Sequence, residues 1–197
     1  MGNIALFGGT FNPIHNEHIK LINHLSNLDY INNVIVMPTH IPPHKTFDCL
    51  ADDKDRLSMC RIATQNIKKV IVSDLEIKRS GKSYTYYTVT ALKEEHKNDE
   101  IFVVCGADMA ITLNEWHRFD ELKEICSFLV VDRPGTDAVE LKCYLDGLAK
   151  NGAKVQYTEC HTADISSTMV RNGGFNTSLV PQKVLEYIKE KGLYGIK

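Results

Sequence analysis

Short apolar runs recur along the chain, and segments with the helical spacing of apolar residues separate them. The runs show little alternation between apolar and polar residues, which is typical of parallel strands covered by helices on both faces. Five of them are clear, and Val155–Tyr157 is a weaker sixth: Asn3–Phe7, Val34–Met37, Val70–Ser73, Ile101–Cys105 and Phe128–Val131. Alternating strands and helices predict a doubly wound α/β domain, with a Rossmann-like parallel sheet and helices on both faces.

The predicted helices lie between these runs. Their segments are Leu21–Leu28, one starting near Asp52, Tyr87–Glu95, Phe119–Ile125, Val139–Leu148 and Val184–Ile188. We expect Asn16 to cap the first helix, with Glu17 in its first turn, and Gly192 to end the last helix. The carboxylates within Asp52–Asp55 are predicted to form a solvated first turn, because acidic residues are favoured at a helix start.

Length, charge and cysteine usage limit the classes of protein that the chain can belong to. With 197 residues, 43% of them hydrophobic, the chain suits one domain spanning 1–197, with a C-terminal helical part from about residue 164. A formal net charge of −2 gives no global signal for nucleic acid or for an anionic membrane. No apolar run is long enough for a membrane span or a signal peptide, so we expect a cytoplasmic protein. The six cysteines are scattered without a CxxC pair, which argues against a disulfide framework and against a zinc site.

The exit of the first predicted strand reads GGTFNPIHNEH. Gly8 and Gly9 follow the strand directly, and glycine lets a ligand approach the backbone because no Cβ intervenes. Asn12-Pro13 is a turn signal, and the helix that follows would present backbone amides that favour phosphate. Ligands bind to such folds beyond the carboxyl ends of the strands, so this exit is a candidate site.

Two histidines, His15 and His18, lie at the predicted start of this helix. Their spacing returns to roughly the same side of a helix, so both imidazoles are expected to face the same corner. Two interpretations stay open on spacing alone, since the rings can bind a ligand or cap local backbone groups. The patterns GxxxxGK[ST] and GxGxxG are both absent, so the stretch is neither of those phosphate-binding loops.

The two ends of the chain carry motifs that resemble one enzyme superfamily. GTFNPIHNEH resembles the nucleotidylyltransferase signature G-x-F-D-P-x-H-x-G-H, and ISSTMVR at Ile165–Arg171 is similar to its second motif, I-S-x-T-x-x-R. Asn12 stands where the signature has Asp, a modest change because both residues cap and turn. Glu17 stands where it has Gly, which bears on how closely a phosphate can approach. On a helix, Glu17 is expected to point away from the side that His15 and His18 share.

Five stretches between the end motifs narrow the resemblance to the bacterial nicotinate-mononucleotide adenylyltransferases of NAD synthesis. In chain order they are MPTHIPPHK, SYT, GAD, EWHRF and DRPG, and the resemblance covers nearly the whole chain. It implies transfer of AMP from ATP to nicotinate mononucleotide, giving deamido-NAD and pyrophosphate. Such a reaction needs no protein nucleophile, because catalysis comes mostly from positioning and electrostatic stabilisation.

The same resemblance implies the cofactors and partners. ATP is a substrate, and Mg²⁺ is expected on its phosphates, with no metal ligands from the protein. The expected partners are small molecules, with no nucleic acid and no membrane, and whether the chain forms a homo-oligomer stays open. Two alternatives remain: a related nucleotidylyltransferase acting on nicotinamide mononucleotide or another phosphate acceptor, and a non-catalytic nucleotide-binding module.

The resemblance also implies roles for residues of this chain. The catalytic residues that it implies are His15, His18, Lys45 and Arg171. The ATP-binding residues that it implies are Gly8, Gly9, Thr10, Phe11, Ile165, Ser166, Ser167 and Thr168. The mononucleotide-binding residues that it implies are His44, Thr85, Asp108, Trp116, His117 and Arg133. Without it, structural roles would account for several of them: a helix cap for Ser166, a core or lid aromatic for Trp116, and surface charges for Lys45 and Arg133.

Overall fold

The computed structural model describes residues 2–42, 50–132, 137–160, 162–172 and 175–196. The strands are β1 Asn3–Gly9, β2 Asn33–Pro38, β3 Val70–Val72, β4 Glu100–Gly106, β5 Ser127–Val131 and β6 Val155–Thr158. The α-helices are α1 Asn16–Asn27, α2 Asp53–Thr64, α3 Leu75–Arg79, α4 Thr85–Glu95, α5 Ala107–Ala110, α6 Phe119–Ile125, α7 Ala138–Lys150, α8 Ser167–Arg171 and α9 Gln182–Lys191. Short 3₁₀ turns lie at Leu113–Glu115, Thr177–Leu179 and Leu193–Gly195.

The strands form a six-stranded parallel sheet in the order β3-β2-β1-β4-β5-β6. This arrangement confirms the predicted Rossmann-like class, including the weaker sixth strand. The direction in which strands are added reverses between β1 and β4. In open α/β sheets that reversal leaves a crevice at the carboxyl ends of the two central strands.

Two hydrophobic cores, one on each face of the sheet, explain why the strand sequences read as continuous apolar runs. In β1, Ile4 and Leu6 pack into one core, while Ala5 packs into the other. Successive side chains of a strand point to opposite faces, so a strand covered on both sides must be apolar at every position. Ile22 and Leu25 of α1 are fully buried against the core that contains Ala5.

Two details differ from the sequence predictions. The N-cap of α1 is His15, and Asn16 is already the first residue of the helix. The short helices α3 and α5 were not predicted, because each is shorter than the window over which helical periodicity can be recognised. Gly192 does end α9, in a left-handed conformation with φ 62°.

The predicted solvated turn at the start of α2 is wrong for two of its carboxylates. Asp53 forms an ion pair with Arg56 and a hydrogen bond with His40, and Asp55 accepts a hydrogen bond of 2.8 Å from the Tyr187 hydroxyl. The reason is tertiary, since Arg56 is completely buried and a buried guanidinium requires an anionic or carbonyl partner. None of the helices in the described ranges combines the length and the apolar character that a membrane crossing needs.

Candidate active site

A cavity of about 1470 Å³ opens at the carboxyl ends of β1 and β4, where the strand order reverses. Its floor includes Gly8 and Gly9 at the end of β1, and Cys105 and Gly106 at the end of β4. Pockets for a single drug-sized ligand usually measure about 300–1,000 Å³. The cavity therefore has room for more than one small substrate.

The two glycines after β1 have different roles. A Cβ on Gly9 would lie 2.9 Å from Cζ of Phe11, whereas a Cβ on Gly8 would meet no atom within 4 Å. Gly9 is therefore needed so that the Phe11 ring can pack beneath the loop, while Gly8 leaves the cavity floor open to a ligand. Phe11 has φ 47°, its side chain is buried in the core, and the residue also lines the cavity.

His15 and His18 lie side by side at the start of α1. Their rings are stacked, with centroids 3.6 Å apart and an interplanar angle of 19°. The His15 backbone amide donates to Nδ1 of His18 at 3.2 Å, and the His15 side chain accepts from the backbone of His18, so the pair forms a capping box. Because Nδ1 of His18 accepts a hydrogen bond, the neutral ring carries its proton on Nε2. Both histidines also line the cavity, so capping and facing a ligand site occur together.

The second motif lies directly beside the first. Arg171 donates through Nη1 to the carbonyl oxygens of Asn12 and Ser167, and the Ser167 hydroxyl donates to the carbonyl oxygen of Pro13 at 2.8 Å. Ser166 caps α8, its hydroxyl accepting from the Met169 amide at 3.2 Å. These contacts bring one guanidinium and two imidazoles, from opposite ends of the chain, to the same cavity.

The opposite wall of the cavity contains the residues of the middle motifs. Trp116 follows a 3₁₀ turn and is half-buried against the core, and it also lines the cavity, so it combines a core contact with a cavity-facing surface. His117 stacks on Tyr84 with centroids 4.3 Å apart, and its Nε2 lies 3.2 Å from the Tyr87 hydroxyl. Thr85 is the first residue of α4 and is likewise part of this wall.

Every residue of the predicted site that lies in the described ranges lines this one cavity, including Thr10, Asp108, Ile165 and Thr168. Asp108 is exposed and lies in α5, directly after β4. His44, Lys45 and Arg133 fall outside the described residues. Their predicted roles therefore stay predictions.

The placement of Glu17 differs from the one that the sequence predicted. It was expected to point away from the site, but it lines the same cavity as His15 and His18. Its Oε2 accepts a hydrogen bond from the Ala163 amide at 2.7 Å. Its carboxylate is therefore engaged by a segment that precedes the second motif, a contact that helical geometry alone could not show.

Arg56 was not predicted from the sequence, although it holds together the segments that follow β1 and β2. Its guanidinium donates to the carbonyl oxygens of Thr10 at 2.7 Å and Thr39 at 2.6 Å, and its Nε donates to that of Ala51 at 3.1 Å. It thus joins the exits of β1 and β2 to the start of α2. In the sequence it looks like any other arginine of a charged helix, so no local signal could have identified it.

Tyr194, near the C-terminus, was also missed as a site residue. It lines the cavity, and its hydroxyl donates to Oδ1 of Asn12 at 2.8 Å. Asn12 Oδ1 also accepts from the Ala51 amide at 3.1 Å. The side chain that replaces the usual Asp of the first motif is therefore buried and used as an acceptor, a role that both amide and carboxylate can fill.

The chemistry available in the cavity is that of hydrogen-bond donors and a fixed cation. Cys105 lines the cavity, but burial raises the pKa of its thiol to about 12, so it is not a thiolate nucleophile near neutral pH. Within the described residues, no group of three or more His, Cys, Asp or Glu side chains is placed to hold a metal ion. Imidazole, hydroxyl, amide and guanidinium donors around an open floor suit a polyanionic ligand.

Comparison with known proteins agrees with this geometry. The family model described as Cytidylyltransferase-like matches residues 6–173. The nicotinate-nucleotide adenylyltransferase of Bacillus subtilis is 33% identical over 198 residues, which cover 98% of this chain and 99% of that protein. The chain belongs to this family of nucleotidyltransferases.

Two further proteins extend the comparison. A protein named "Probable nicotinate-nucleotide adenylyltransferase" in Geobacillus kaustophilus is 36% identical over 201 residues, covering 100% of this chain and 88% of that protein. A solved structure, that of Plasmodium falciparum nicotinic acid mononucleotide adenylyltransferase complexed with NaAD, superposes with a TM-score of 0.81. At 22% identity over 100% of this chain and 99% of that one, this similarity shows that the two proteins share the fold.

Proposed function

We propose that the protein transfers an adenylyl group from ATP to nicotinate mononucleotide, forming deamido-NAD and releasing pyrophosphate. A phosphate oxygen of the mononucleotide forms a bond to the α-phosphorus of ATP, and the bond from that phosphorus to the β-phosphate oxygen breaks. The observation that carries this proposal is the meeting of His15, His18 and Arg171 at one cavity, in a chain of the nucleotidyltransferase family.

The physical demands of this reaction match the donors in the cavity. Two polyanions must be held so that the attacking oxygen is in line with the α-phosphorus, and charge grows on the phosphate oxygens as the leaving group departs. Donors that are fixed before the reaction stabilise this charge without a cost of reorganisation. The capping box and the contacts of Arg171 with two carbonyl oxygens hold these donors in place.

On the ATP side, His18 is proposed to donate from Nε2 to the α-phosphate, with His15 beside it. Gly8 lets the nucleotide approach the backbone, and Arg171 supplies a fixed positive charge for the triphosphate. The further proposed ATP contacts are Gly9, Thr10, Phe11, Ile165, Ser166, Ser167 and Thr168. Lys45 is proposed as a second cation.

On the mononucleotide side, Trp116 is proposed to stack on the nicotinate ring, and Thr85 to receive its carboxylate. Support comes from the fact that both residues line the cavity, Trp116 as a half-buried ring after a 3₁₀ turn and Thr85 as the first residue of α4. The further proposed contacts with the mononucleotide are His44, Asp108, His117 and Arg133.

Mg²⁺ is proposed to enter with the ATP phosphates, where it would neutralise charge on the triphosphate. Among the described residues, no three His, Cys, Asp or Glu side chains are grouped to hold a metal ion, although five carboxylate residues line the cavity: Glu17, Glu76, Asp108, Glu115 and Asp132. Such a donor set suits a metal held mainly by phosphate and water. We also propose that residues 1–197 act as one domain and that the reaction takes place in the cytoplasm.

The test is pyrophosphate release by the purified full chain with ATP, Mg²⁺ and nicotinate mononucleotide. The expected result is stoichiometric formation of pyrophosphate and deamido-NAD. A parallel reaction with nicotinamide mononucleotide tests the acceptor, and faster turnover of that compound would overturn the nicotinate assignment. Absence of release by folded protein with either acceptor would instead favour a nucleotide-binding module.

A further inference from the structure

The segment that joins β6 to α8 runs along α1 in the opposite direction to that helix. We call it the β6–α8 segment, residues 158–160 and 162–166. At its start, Oγ1 of Thr158 lies 2.8 Å from Nε2 of His24, in the last turn of α1. Further along, the amide of Ala163 donates to Oε2 of Glu17, in the first turn of α1, at 2.7 Å. The segment therefore reaches the cavity at the end of α1 that carries the histidine pair.

The middle of the segment lies close to the same face of α1. Burial raises the pKa of the Cys160 thiol, an effect that the Lys20 ammonium opposes and the Glu17 carboxylate reinforces. Glu17, Lys20 and His24 are three and four residues apart, the spacing of one helix face. Glu17 and His24 thus contact the two ends of the segment, Lys20 lies within electrostatic range of Cys160 between them, and Glu17 makes the contact nearest to the cavity.

Beyond Ala163, the chain is attached again through the first and last residues of α8. The Ser167 hydroxyl donates to the Pro13 carbonyl oxygen at 2.8 Å, and Arg171 donates to the Asn12 carbonyl oxygen. The residues between these attachments include Ile165 and Ser166, which line the cavity. Their backbone is consequently fixed at both ends against the first motif.

We propose that Glu17 is a positioning residue, whose carboxylate sets where the β6–α8 segment enters the triphosphate part of the cavity. The inference rests on the function proposed above. It also explains the departure from the usual motif, because the glycine found at this place in the nucleotidylyltransferase signature has no side chain to make the contact. The contact is therefore specific to chains that carry an acceptor at position 17.

A carboxylate in this place has a cost, because it adds negative charge to the wall of a cavity for polyanions. Two features offset that charge: the Ala163 amide donates to it, and it lies at the N-terminus of α1, where the helix dipole favours an anion. A competing role would be direct action of the charge on ATP or its metal ion. The positioning role depends on the hydrogen bond to Ala163, whereas the competing role depends on the charge of the carboxylate.

Glu17→Gln and Glu17→Ala separate these roles. Glutamine keeps an acceptor oxygen for Ala163 and removes the charge, whereas alanine removes both. We expect the Ala163 amide of the substrate-free protein to exchange with solvent about fivefold faster in Glu17→Ala than in wild type, and at a similar rate in Glu17→Gln. Amide exchange followed by NMR measures this contact without any reference to activity.

The kinetic effect is also expected to be larger in Glu17→Ala than in Glu17→Gln. The KM for ATP should rise about fivefold in Glu17→Ala and stay within about twofold in Glu17→Gln, with the KM for the mononucleotide unchanged in both. Asn23→Ala is the matched control, since Asn23 is exposed on α1 and bonds only within its own helix in the described contacts, to the Ile19 carbonyl oxygen at 2.9 Å.

Equal changes of the ATP KM in the glutamine and alanine variants would overturn the proposal in favour of the charge. An unchanged exchange rate of the Ala163 amide in Glu17→Ala would also overturn the proposal, because the contact would then hold nothing in place. If the wild-type protein turned over no nicotinate mononucleotide, the function proposed above would fail, and the exchange measurement would still decide the role of Glu17.

Discussion

Replacing Arg56 with methionine should strongly destabilise the protein. Methionine has a similar length and fits a helix, but it removes the donors that satisfy the carbonyl oxygens of Thr10, Thr39 and Ala51. It also leaves Asp53 without its buried partner, although Asp53 keeps the contact with His40 and is partly exposed.

The magnitude follows from what is left unpaired. Removing one member of a buried ion pair costs about 3–5 kcal/mol, and hydrogen bonds from a charged donor are worth about 1.5–3 kcal/mol each. The apolar burial of methionine returns part of this loss, so we expect a fall of about 4 kcal/mol in the free energy of unfolding. For a domain of this size that corresponds to a fall in Tm of about 12 °C.

Urea unfolding followed by circular dichroism measures the change, with Arg61→Met as the control on the same helix. The Arg61 side chain is 55% exposed and its Nη2 lies 3.9 Å from Oδ2 of Asp74, so its replacement should change stability by no more than about 0.5 kcal/mol. A loss below about 1 kcal/mol in Arg56→Met would refute the reasoning, because the three carbonyl oxygens would then have other partners.

Three further substitutions, the last with a matched control, test the site and its floor. His18→Ala should lower kcat by about 10²–10³ with a change in Tm of only a few degrees; a large loss of stability with normal kcat would mean that the ring only caps α1. Trp116→Ala should raise the KM for nicotinate mononucleotide about tenfold, and a selective effect on ATP instead would contradict the proposed stacking. Gly9→Ala should destabilise by about 1–3 kcal/mol in thermal unfolding, because its Cβ would press on the buried Phe11 ring, whereas Gly147→Ala in α7, where a Cβ meets nothing within 4 Å, should stabilise by up to about 1 kcal/mol. Equal effects at the two glycines would show that the Phe11 ring moves freely.

The sequence predicted that most of these residues meet at one cavity, because the chemistry-bearing residues follow predicted strands. In a parallel sheet the carboxyl ends of the strands share one edge, so residues after β1 and β4 had to lie near each other. The position of Trp116 and Thr85 in one wall could be expected only through the resemblance. The spacing of His15 and His18 could not decide between a capping role and a ligand-binding role. The structure showed that the two rings cap the helix and also line the cavity.

The sequence by itself determined the strands, the longer helices and the parallel α/β class, because burial on two faces leaves a local apolar pattern that can be recognised without any partner. Only the tertiary structure decided that Arg56 is buried, that it meets the carbonyl oxygens of Thr10 and Thr39, and that Glu17 holds Ala163. Each of these contacts depends on where another segment of the chain, in some cases a distant one, comes to lie. A polar side chain carries no local mark of the carbonyl or amide that it will meet, because its partner is chosen by packing and not by periodicity.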